Sequence, residues 1–438
     1  MKRITSTLLV GMLCLSVVAK PSQPNILLIL ADDLGYADLS IHGCTQFKTP
    51  NIDSIGQGGV RFKQGYVSNS VCAPSRAGLL TGRTGIGFEG NADAVNGLDL
   101  SLETMADTLK RAGYGTSCIG KWHLGAQDTH YPTQRGFDYF CGLREGSRTY
   151  FYDESNSDSP GNPHGIELNG KQIKFEGYLT DFLTDQAIGV IDRHTASMPD
   201  KPFFMYLSYT APHGPMQCKP GTEIQNLSTK SEKRPVYAAM VVSLDEGIGR
   251  VLQTLEDKGL KENTLVVFLS DNGGPTYKNG SSNWPLKGKK GSTDEGGLRV
   301  PFLLQWPEKI PAGQIRDDMV ISLDLLPTFS SVAGVEPPEK MSGLNLMPYL
   351  TNPQNALADR GFFWRRAGMK NCALRSGDYK WIENRNKGEQ YLYNLKDDIS
   401  EKNNLVTEFP EVAERMRSEY VKWESTIPDP PPVESSSE

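Results

Sequence analysis

Cysteine is scarce and irregularly placed in this chain, with seven among 438 residues, at positions 14, 44, 72, 118, 141, 218 and 372. The spacing matches neither a metal site nor a disulfide framework, so one or two bridges can form but stability must come mainly from a buried core. An excess of positive charge is also lacking. With a formal net charge of -6, the protein has no global attraction for nucleic acid or acidic membranes, and any anion-binding surface must be a local pocket. After the first twenty residues no stretch is apolar for long enough to span a bilayer. No internal repeat or heptad is visible, which removes solenoids and coiled coils.

What is present reads as a soluble globular protein, at 38% hydrophobic and 22% charged residues, long enough for two or three domains. Met1-Lys2-Arg3 and the apolar run Leu8 to Val18, ending at Ala19, have the pattern of a secretory signal peptide over residues 1–19. The run is short of the ~20 residues a membrane helix needs, which implies export to the periplasm or the extracellular space and no membrane span. The Pro, Ser and Glu tail at 428–438 has nothing to bury and should be disordered.

Between these ends, short apolar runs alternate with amphipathic stretches. Pro24 to Ala31 predicts a strand buried on both faces, followed at once by Asp32-Asp33-Leu34-Gly35. Ser101 can cap a helix through Ala112, and the strand Thr116 to Ile119 then delivers Lys121 and His123. A helix over Thr180 to His194 precedes the strand Pro202 to Tyr209, which is followed by His213. A long helix, Val236 to Lys258, precedes the strand Thr264 to Ser270, which ends in Asp271-Asn272. Alternation of this kind predicts a doubly wound α/β core, in which ligands gather beyond the carboxyl ends of the strands. Asp32, Asp33, Asp271 and Asn272 offer oxygen and no soft ligand, a set suited to Ca²⁺ or Mg²⁺ and not to zinc.

One further stretch organises the others. In Val71-Cys-Ala-Pro-Ser-Arg-Ala-Gly-Leu-Leu-Thr-Gly-Arg83, Pro74 presets a first helical turn and Gly82 can end the helix. Cys72 therefore sits at or next to a helix N-terminus, where negative charge is favoured, with Arg76 one turn on.

Cys72-Ala73-Pro74-Ser75-Arg76 and the Ala-Gly-Leu-Leu-Thr-Gly-Arg that follows resemble the signature of type I sulfatases, within the alkaline phosphatase superfamily. In that family the cysteine is oxidised after translation to formylglycine. Four more segments resemble the family in its own chain order: the aspartate pair, Gly120 to Gly125, Ala211 to Pro215, and Asp271-Asn272 with the lysine segment Leu286 to Gly297. Counted back from Glu295-Gly296-Gly297, the family's sulfate-contacting lysine falls on Lys290, leaving Lys287 and Lys289 as extra charges. Asp294 stands where the family often has an aromatic residue.

The resemblance implies a mixed, mostly parallel sheet flanked by helices in a catalytic domain over 24–335. A smaller C-terminal antiparallel sheet plus helix follows over 354–427, read from the short alternating patterns of Gly361 to Trp381 and Gln390 to Leu395 and the helix pattern of Glu411 to Ser425. The resemblance also implies a sulfuric ester hydrolase in which Cys72, converted by a formylglycine-generating maturation enzyme, provides the nucleophile. A divalent cation, Ca²⁺ ahead of Mg²⁺, would be held by Asp32, Asp33, Asp271 and Asn272 together with residue 72. Arg76, Lys121 and Lys290 would neutralise the sulfuryl oxygens, His213 would protonate the leaving oxygen, and His123 would take the proton whose loss releases sulfate. Secretion, the polar and aromatic segment Arg144 to Lys174, and the triplet Trp364-Arg365-Arg366 point to a sulfated carbohydrate as substrate. The alternatives are a formylglycine-dependent phosphonate or phosphodiester hydrolase and an unconverted, non-catalytic protein that binds glycans or anions.

Overall fold

The computed structural model describes residues 23–84, 97–224, 227, 229, 231–365 and 371–427. The expected leader at 1–19, the tail at 428–438, the glycine-rich stretch 85–91 and Arg366 lie outside the described residues.

The first half runs β1 (Asn25–Ala31), α1 (Pro50–Gln57), β2 (Val60–Tyr66), α2 (Cys72–Thr81), α3 (Met105–Arg111), β3 (Gly115–Lys121) and β4 (Tyr139–Leu143). Two short strands follow, β5 (Glu167–Leu168) and β6 (Lys171–Gln172), then α4 (Leu179–Ser197), β7 (Phe203–Ser208), α5 (Arg234–Asp257) and β8 (Thr264–Ser270). The main sheet is completed past α6 (Glu295–Leu298) by β9 (Phe302–Gln305) and β10 (Gln314–Ile321), with α7 (Leu325–Ala333) and α8 (Met347–Leu350) after it. Its strand order is β10-β2-β9-β8-β1-β7-β3-β4-β5-β6.

At its centre β8, β1, β7, β3 and β4 are parallel neighbours, while β9 runs antiparallel between β8 and β2. Residues 26–31 have no exposed surface. Ile26, Leu28 and Leu30 pack into the layer built by α2, α3 and α7, and Leu27, Ile29 and Ala31 into the layer built by α1, α4 and α5. That double burial is why the strand is continuously apolar and not alternating. Each such side chain contributes about 1.5–3 kcal/mol relative to exposure.

One helix start differs from the sequence expectation. Thr104 and not Ser101 caps α3: its side chain accepts the Asp107 N–H at 3.2 Å, and Asp107 accepts the Thr104 N–H at 3.0 Å. This reciprocal box satisfies two otherwise unpaired donors, whereas Ser101 donates to Asp99.

Beyond α8 a second sheet, β11 (Phe362–Arg365), β12 (Asn371–Ser376), β13 (Tyr379–Asn384) and β14 (Glu389–Asn394), is antiparallel throughout. One face packs on α9 (Pro410–Glu424) through Leu374, Trp381, Met416 and Tyr420. The other face joins Tyr66, Leu298 and Ile321 of the main body through Trp364, Ala373, Ile382 and Tyr393. The cysteines at 44, 72, 118, 141, 218 and 372 are all buried and unbridged. Among the described residues no helix is long and apolar enough to cross a membrane.

Candidate active site

The parallel strands at the centre of the sheet end on one edge, and each hands a polar group to the same place. β1 is followed by Asp32 and Asp33, β8 by Asp271 and Asn272, β3 ends in Lys121 with His123 just past it, and His213 lies five residues beyond β7. β2 leads through a short loop to α2, whose first residue is Cys72 and whose ten residues are all buried. Gly82, in the left-handed region with φ 65°, closes that helix, its N–H donating to the Gly78 carbonyl. Gly78 lets the helix pack against Ser68, whose Oγ would lie 2.1 Å from an added Cβ. The helix start that the sequence indicates is therefore locked where β2 delivers it.

The charged groups interlock. Lys121 Nζ lies 2.7 Å from Asp32 Oδ2, and Lys290 Nζ lies 2.8 Å from Asp33 Oδ1 and 3.0 Å from Cys72 Sγ. Arg76 Nε donates to Asp271 Oδ2 at 3.0 Å, and Arg76 Nη1 donates to Ser208 Oγ at 2.5 Å. Ser208 in turn donates to the Lys121 carbonyl at 2.7 Å. Cys72 Sγ is 3.6 Å from Asp32 Oδ1. His213 is half-buried; its Nδ1 is 2.7 Å from the Gly214 carbonyl, which leaves Nε2, 3.6 Å from Asp33 Oδ2, facing the cluster. Asp33 and His123 both adopt left-handed backbone, at φ 66° and 57°. Non-glycine residues held in that region are costly and concentrate at functional sites.

Burial opposes ionisation of Asp32, but Lys121, His213 and Arg76 outweigh it and hold the carboxyl below its usual range. For Cys72 burial dominates and Asp271 adds to it, so the thiol is pushed up to about 12 and stays protonated. Burial, then the charges of Lys121, Arg76 and Lys290, hold the His123 imidazole well below 6.5 and therefore neutral.

Candidate ligand atoms of Asp32, Asp33, Cys72 and His213 all lie within 4.8 Å of one another. Asn272 is fully buried; its Nδ2 donates to Asp33 Oδ1 at 2.7 Å, while its Oδ1 has no hydrogen-bond partner. A buried amide oxygen without a donor is costly unless something electropositive reaches it. Together with the carboxylates it fits a hard cation. The charge sum points the same way: Arg76, Lys121 and Lys290 balance Asp32, Asp33 and Asp271 at zero, so a divalent ion brings the cluster to +2. A pocket of that charge attracts an anion.

All six residues expected to act on substrate, and all the expected cation ligands, thus converge. The lysine run separates clearly. Lys290 reaches Cys72, whereas Lys287 pairs with Asp294 at 3.2 Å and lies over the Tyr393 ring at 4.9 Å. Of the triplet at 364–366, the two described residues do not join the cluster. Trp364 is 2% exposed, packs against Tyr66 and Phe362, and donates its indole N–H to the Val67 carbonyl at 2.8 Å. Its β11 position turns it into the inter-sheet core, so its indole cannot line a substrate surface; Arg365 beside it is also buried. Sequence reading missed Ser208, which orients Arg76. It also missed Tyr150, whose hydroxyl proton is shared between the Thr210 and His213 carbonyls at 2.8 and 2.9 Å. Tyr150 lies in the segment singled out for its aromatics, yet nothing in the pattern showed which carbonyl it would reach.

Comparison with known proteins supplies the family. The family described as Sulfatase matches residues 24–335, and that described as N-sulphoglucosamine sulphohydrolase, C-terminal, matches residues 289–425. The chain is 35% identical over 393 residues to N-acetylgalactosamine-6-sulfatase of Sus scrofa, covering 84% of this chain and 73% of that protein. To arylsulfatase A of Homo sapiens it is 32% identical, covering 83% and 75%. The solved structure of Ps i-CgsB in complex with k-i-k-neocarrahexaose superposes with a TM-score of 0.85 at 36% identity, covering 92% of each chain.

Proposed function

That this chain belongs to the sulfatase family, and is a sulfuric ester hydrolase, is the premise from which we propose that it removes sulfate from a sulfated carbohydrate, with Cys72 converted to formylglycine. The single observation that carries the reading is the position of Cys72. It is a buried thiol kept protonated, ringed by Arg76, Lys121 and Lys290, at the first residue of a helix. A thiol in that state is a poor nucleophile, whereas the surroundings suit an oxygen nucleophile and an incoming anion. The carbohydrate class is supported by the activity named for the porcine relative and by the sugar bound to Ps i-CgsB.

Asp32, Asp33, Asp271 and Asn272, with residue 72, would hold the cation, Ca²⁺ in preference to Mg²⁺ because the ligands are many, anionic and oxygen-bearing. When bound, the cation supplies charge neutralisation and raises the acidity of a hydroxyl at residue 72. Arg76, fixed by Asp271 and Ser208, and the ammonium groups of Lys121 and Lys290 bind the sulfuryl oxygens and orient the sulfur. His213, whose Nδ1 is committed to Gly214, donates a proton from Nε2 to the departing alcohol oxygen. His123, held neutral, accepts the proton that must leave residue 72 for sulfate to be released. The apolar run at 8–18 supports export to the periplasm or beyond.

The test is the mass of the peptide containing residue 72 from active protein, with turnover measured on aryl sulfate, phosphonate and phosphodiester substrates. Thiol-to-aldehyde mass loss with preference for sulfate supports the reading. Full sulfatase activity from protein carrying only unmodified thiol would falsify it.

A further inference from the structure

Large aromatic side chains left in water mark binding surfaces when they cluster. Trp284 is 76% exposed and Tyr277 64% exposed, and both line one cleft of about 590 Å³. Neither belongs to a loose loop. The β-branched Thr276 beside Tyr277 is held at φ 53°, its N–H donating to Ser281 Oγ at 2.9 Å. Asn283 beside Trp284 is buried: its Oδ1 accepts the Gly274 N–H at 3.0 Å and the Tyr36 N–H at 3.3 Å, and its Nδ2 donates to the Gly274 carbonyl at 2.8 Å. The two rings are therefore presented by a fixed backbone.

The charges that could meet a ligand lie beside the lining of this cleft, because the one charged residue in the lining is already paired. Arg234 is neutralised, donating to Asp38 Oδ1 at 2.6 Å and to Gln46 Oε1 at 2.9 Å. Next to its lining residues are Lys233, which precedes Arg234, Lys278, which follows Tyr277, and Lys289, above the Tyr277 ring. Among the described residues none of the three has a carboxylate partner; Lys233 Nζ donates to the Lys278 carbonyl, and Lys289 Nζ lies 3.9 Å above the Tyr277 ring. The cleft shares its loops with the candidate active site. Lys289 precedes Lys290, Gly274 follows the Asp271-Asn272 pair by two residues, and Gly35 packs so closely that an added Cβ would meet the Ser282 carbonyl at 2.4 Å.

We propose that this cleft is a glycan subsite that holds a sugar next to the one being desulfated. In it, Trp284 and Tyr277 take the C–H faces of pyranose rings, and Lys233, Lys278 and Lys289 take sulfate groups of the same chain. Aromatic faces supply apolar area with polar edges, which matches a sugar ring, and ammonium groups that no carboxylate neutralises match its sulfates. The proposal rests on the sulfatase reading above and extends it from a single ester to a chain of sulfated sugars.

The test compares full-length protein with Trp284→Ala and Lys289→Met. Steady-state hydrolysis is measured on 4-nitrophenyl sulfate and on carrageenan-derived and glycosaminoglycan-derived sulfated hexasaccharides, and hexasaccharide binding is measured by calorimetry. Both substituted side chains reach solvent, and matched melting temperatures will show the fold intact. Each variant should raise KM and Kd for the accepted hexasaccharide about tenfold, the size of one lost stacking or charge contact, with kcat and aryl sulfate turnover unchanged. Unchanged hexasaccharide KM and Kd overturn the subsite, as does equal loss on the aryl sulfate, which would mark a structural role. Wild-type protein that hydrolyses the aryl sulfate but binds neither hexasaccharide overturns the subsite and leaves the sulfatase reading standing. Wild-type protein that carries the aldehyde, binds a hexasaccharide through Trp284 and hydrolyses no sulfate ester overturns the sulfatase reading and leaves the subsite.

Discussion

Lys290 Nζ sits 3.0 Å from Cys72 Sγ and 2.8 Å from Asp33 Oδ1, so one ammonium bridges the helix start and the β1 aspartates. Burial opposes its charge, but Cys72 and Asp33 overcome that and raise its pKa. It stays protonated throughout the physiological range. Lys290→Met should lower kcat/KM by about 10²–10³, the loss expected for one donor aimed at developing charge. Lys287→Met, whose ammonium is engaged by Asp294 and Tyr393, should change it little. Kinetics on an aryl sulfate separate the two, and similar losses in both variants would contradict the assignment.

The pair Asp271 and Asn272 should respond differently to chelation. Asp271→Ala leaves the buried Arg76 guanidinium without its carboxylate and should cost about 3–5 kcal/mol whether or not a cation is present. Asn272→Leu should remove the part of the stability that Ca²⁺ adds through the orphaned Oδ1, on top of a cation-independent loss from the hydrogen bonds that Nδ2 gives Asp33 and the Gly273 carbonyl. Melting curves with and without a chelator, alongside elemental analysis, measure both. An Asn272→Leu protein with wild-type calcium-dependent stabilisation would remove that residue from the ligand set.

His213 presents Nε2 to the cluster and should matter in proportion to how badly the leaving group needs a proton. His213→Ala should slow sugar sulfates by about 10²–10⁴ while sparing 4-nitrophenyl sulfate, whose phenolate departs unaided. The comparison needs matched cation and formylglycine content. Equal losses on both substrates would remove the acid role.

The two sheets are joined by a buried cluster in which Lys380 Nζ lies 2.8 Å from Glu295 and 3.0 Å from Glu401. Burial first, with Glu295 adding and Lys380 opposing, pushes the Glu401 carboxyl from 4.5 up to about 7. Between those values the folded chain keeps a proton that the unfolded chain has released, so this group's contribution to stability falls as pH rises through the window. Glu295 behaves in the opposite sense. Burial opposes its charge, but Lys380 and Arg299 prevail and hold it near 2, so its contribution is present above 4.5 and lost toward 2. Glu401→Gln should therefore melt a few degrees above wild type at pH 8 and close to it at pH 5, a shift of roughly the size one to two kcal/mol produces. A constant difference across that range would show that Glu401 does not titrate there.

The places where sequence reading succeeded and failed follow from how far apart the interacting groups are. A strand buried on both faces must be apolar at every position, so β1, β7 and β8 were visible as runs, and the polar groups just past them could be placed on one edge. The helix start at Cys72 was likewise local, set by Pro74 and Gly82 within ten residues. Ser101 looked like a cap because a serine preceded the apolar pattern, but the Thr104–Asp107 box was the stronger local pairing. Trp364 reads as a substrate contact in sequence because an alternating strand does not say which of its faces meets another layer. Contact with Tyr66, nearly three hundred residues earlier, decided it.

By itself the sequence determined the α/β class, the two-sheet division and the residue types at the strand ends, because each is written in periodicity or in a contiguous motif. Only the tertiary structure brought Lys290, the lysine that the family resemblance singled out, to within 3.0 Å of Cys72 Sγ. It also showed that Asn272 keeps one oxygen unpaired, and that Ser208 and Tyr150 hold the groups around them in position. It set Trp284 and Tyr277 on the same cleft. Each of these depends on the direction of a side chain across a loop or between strands, and that direction is set by packing among residues far apart in the chain, which no local pattern records.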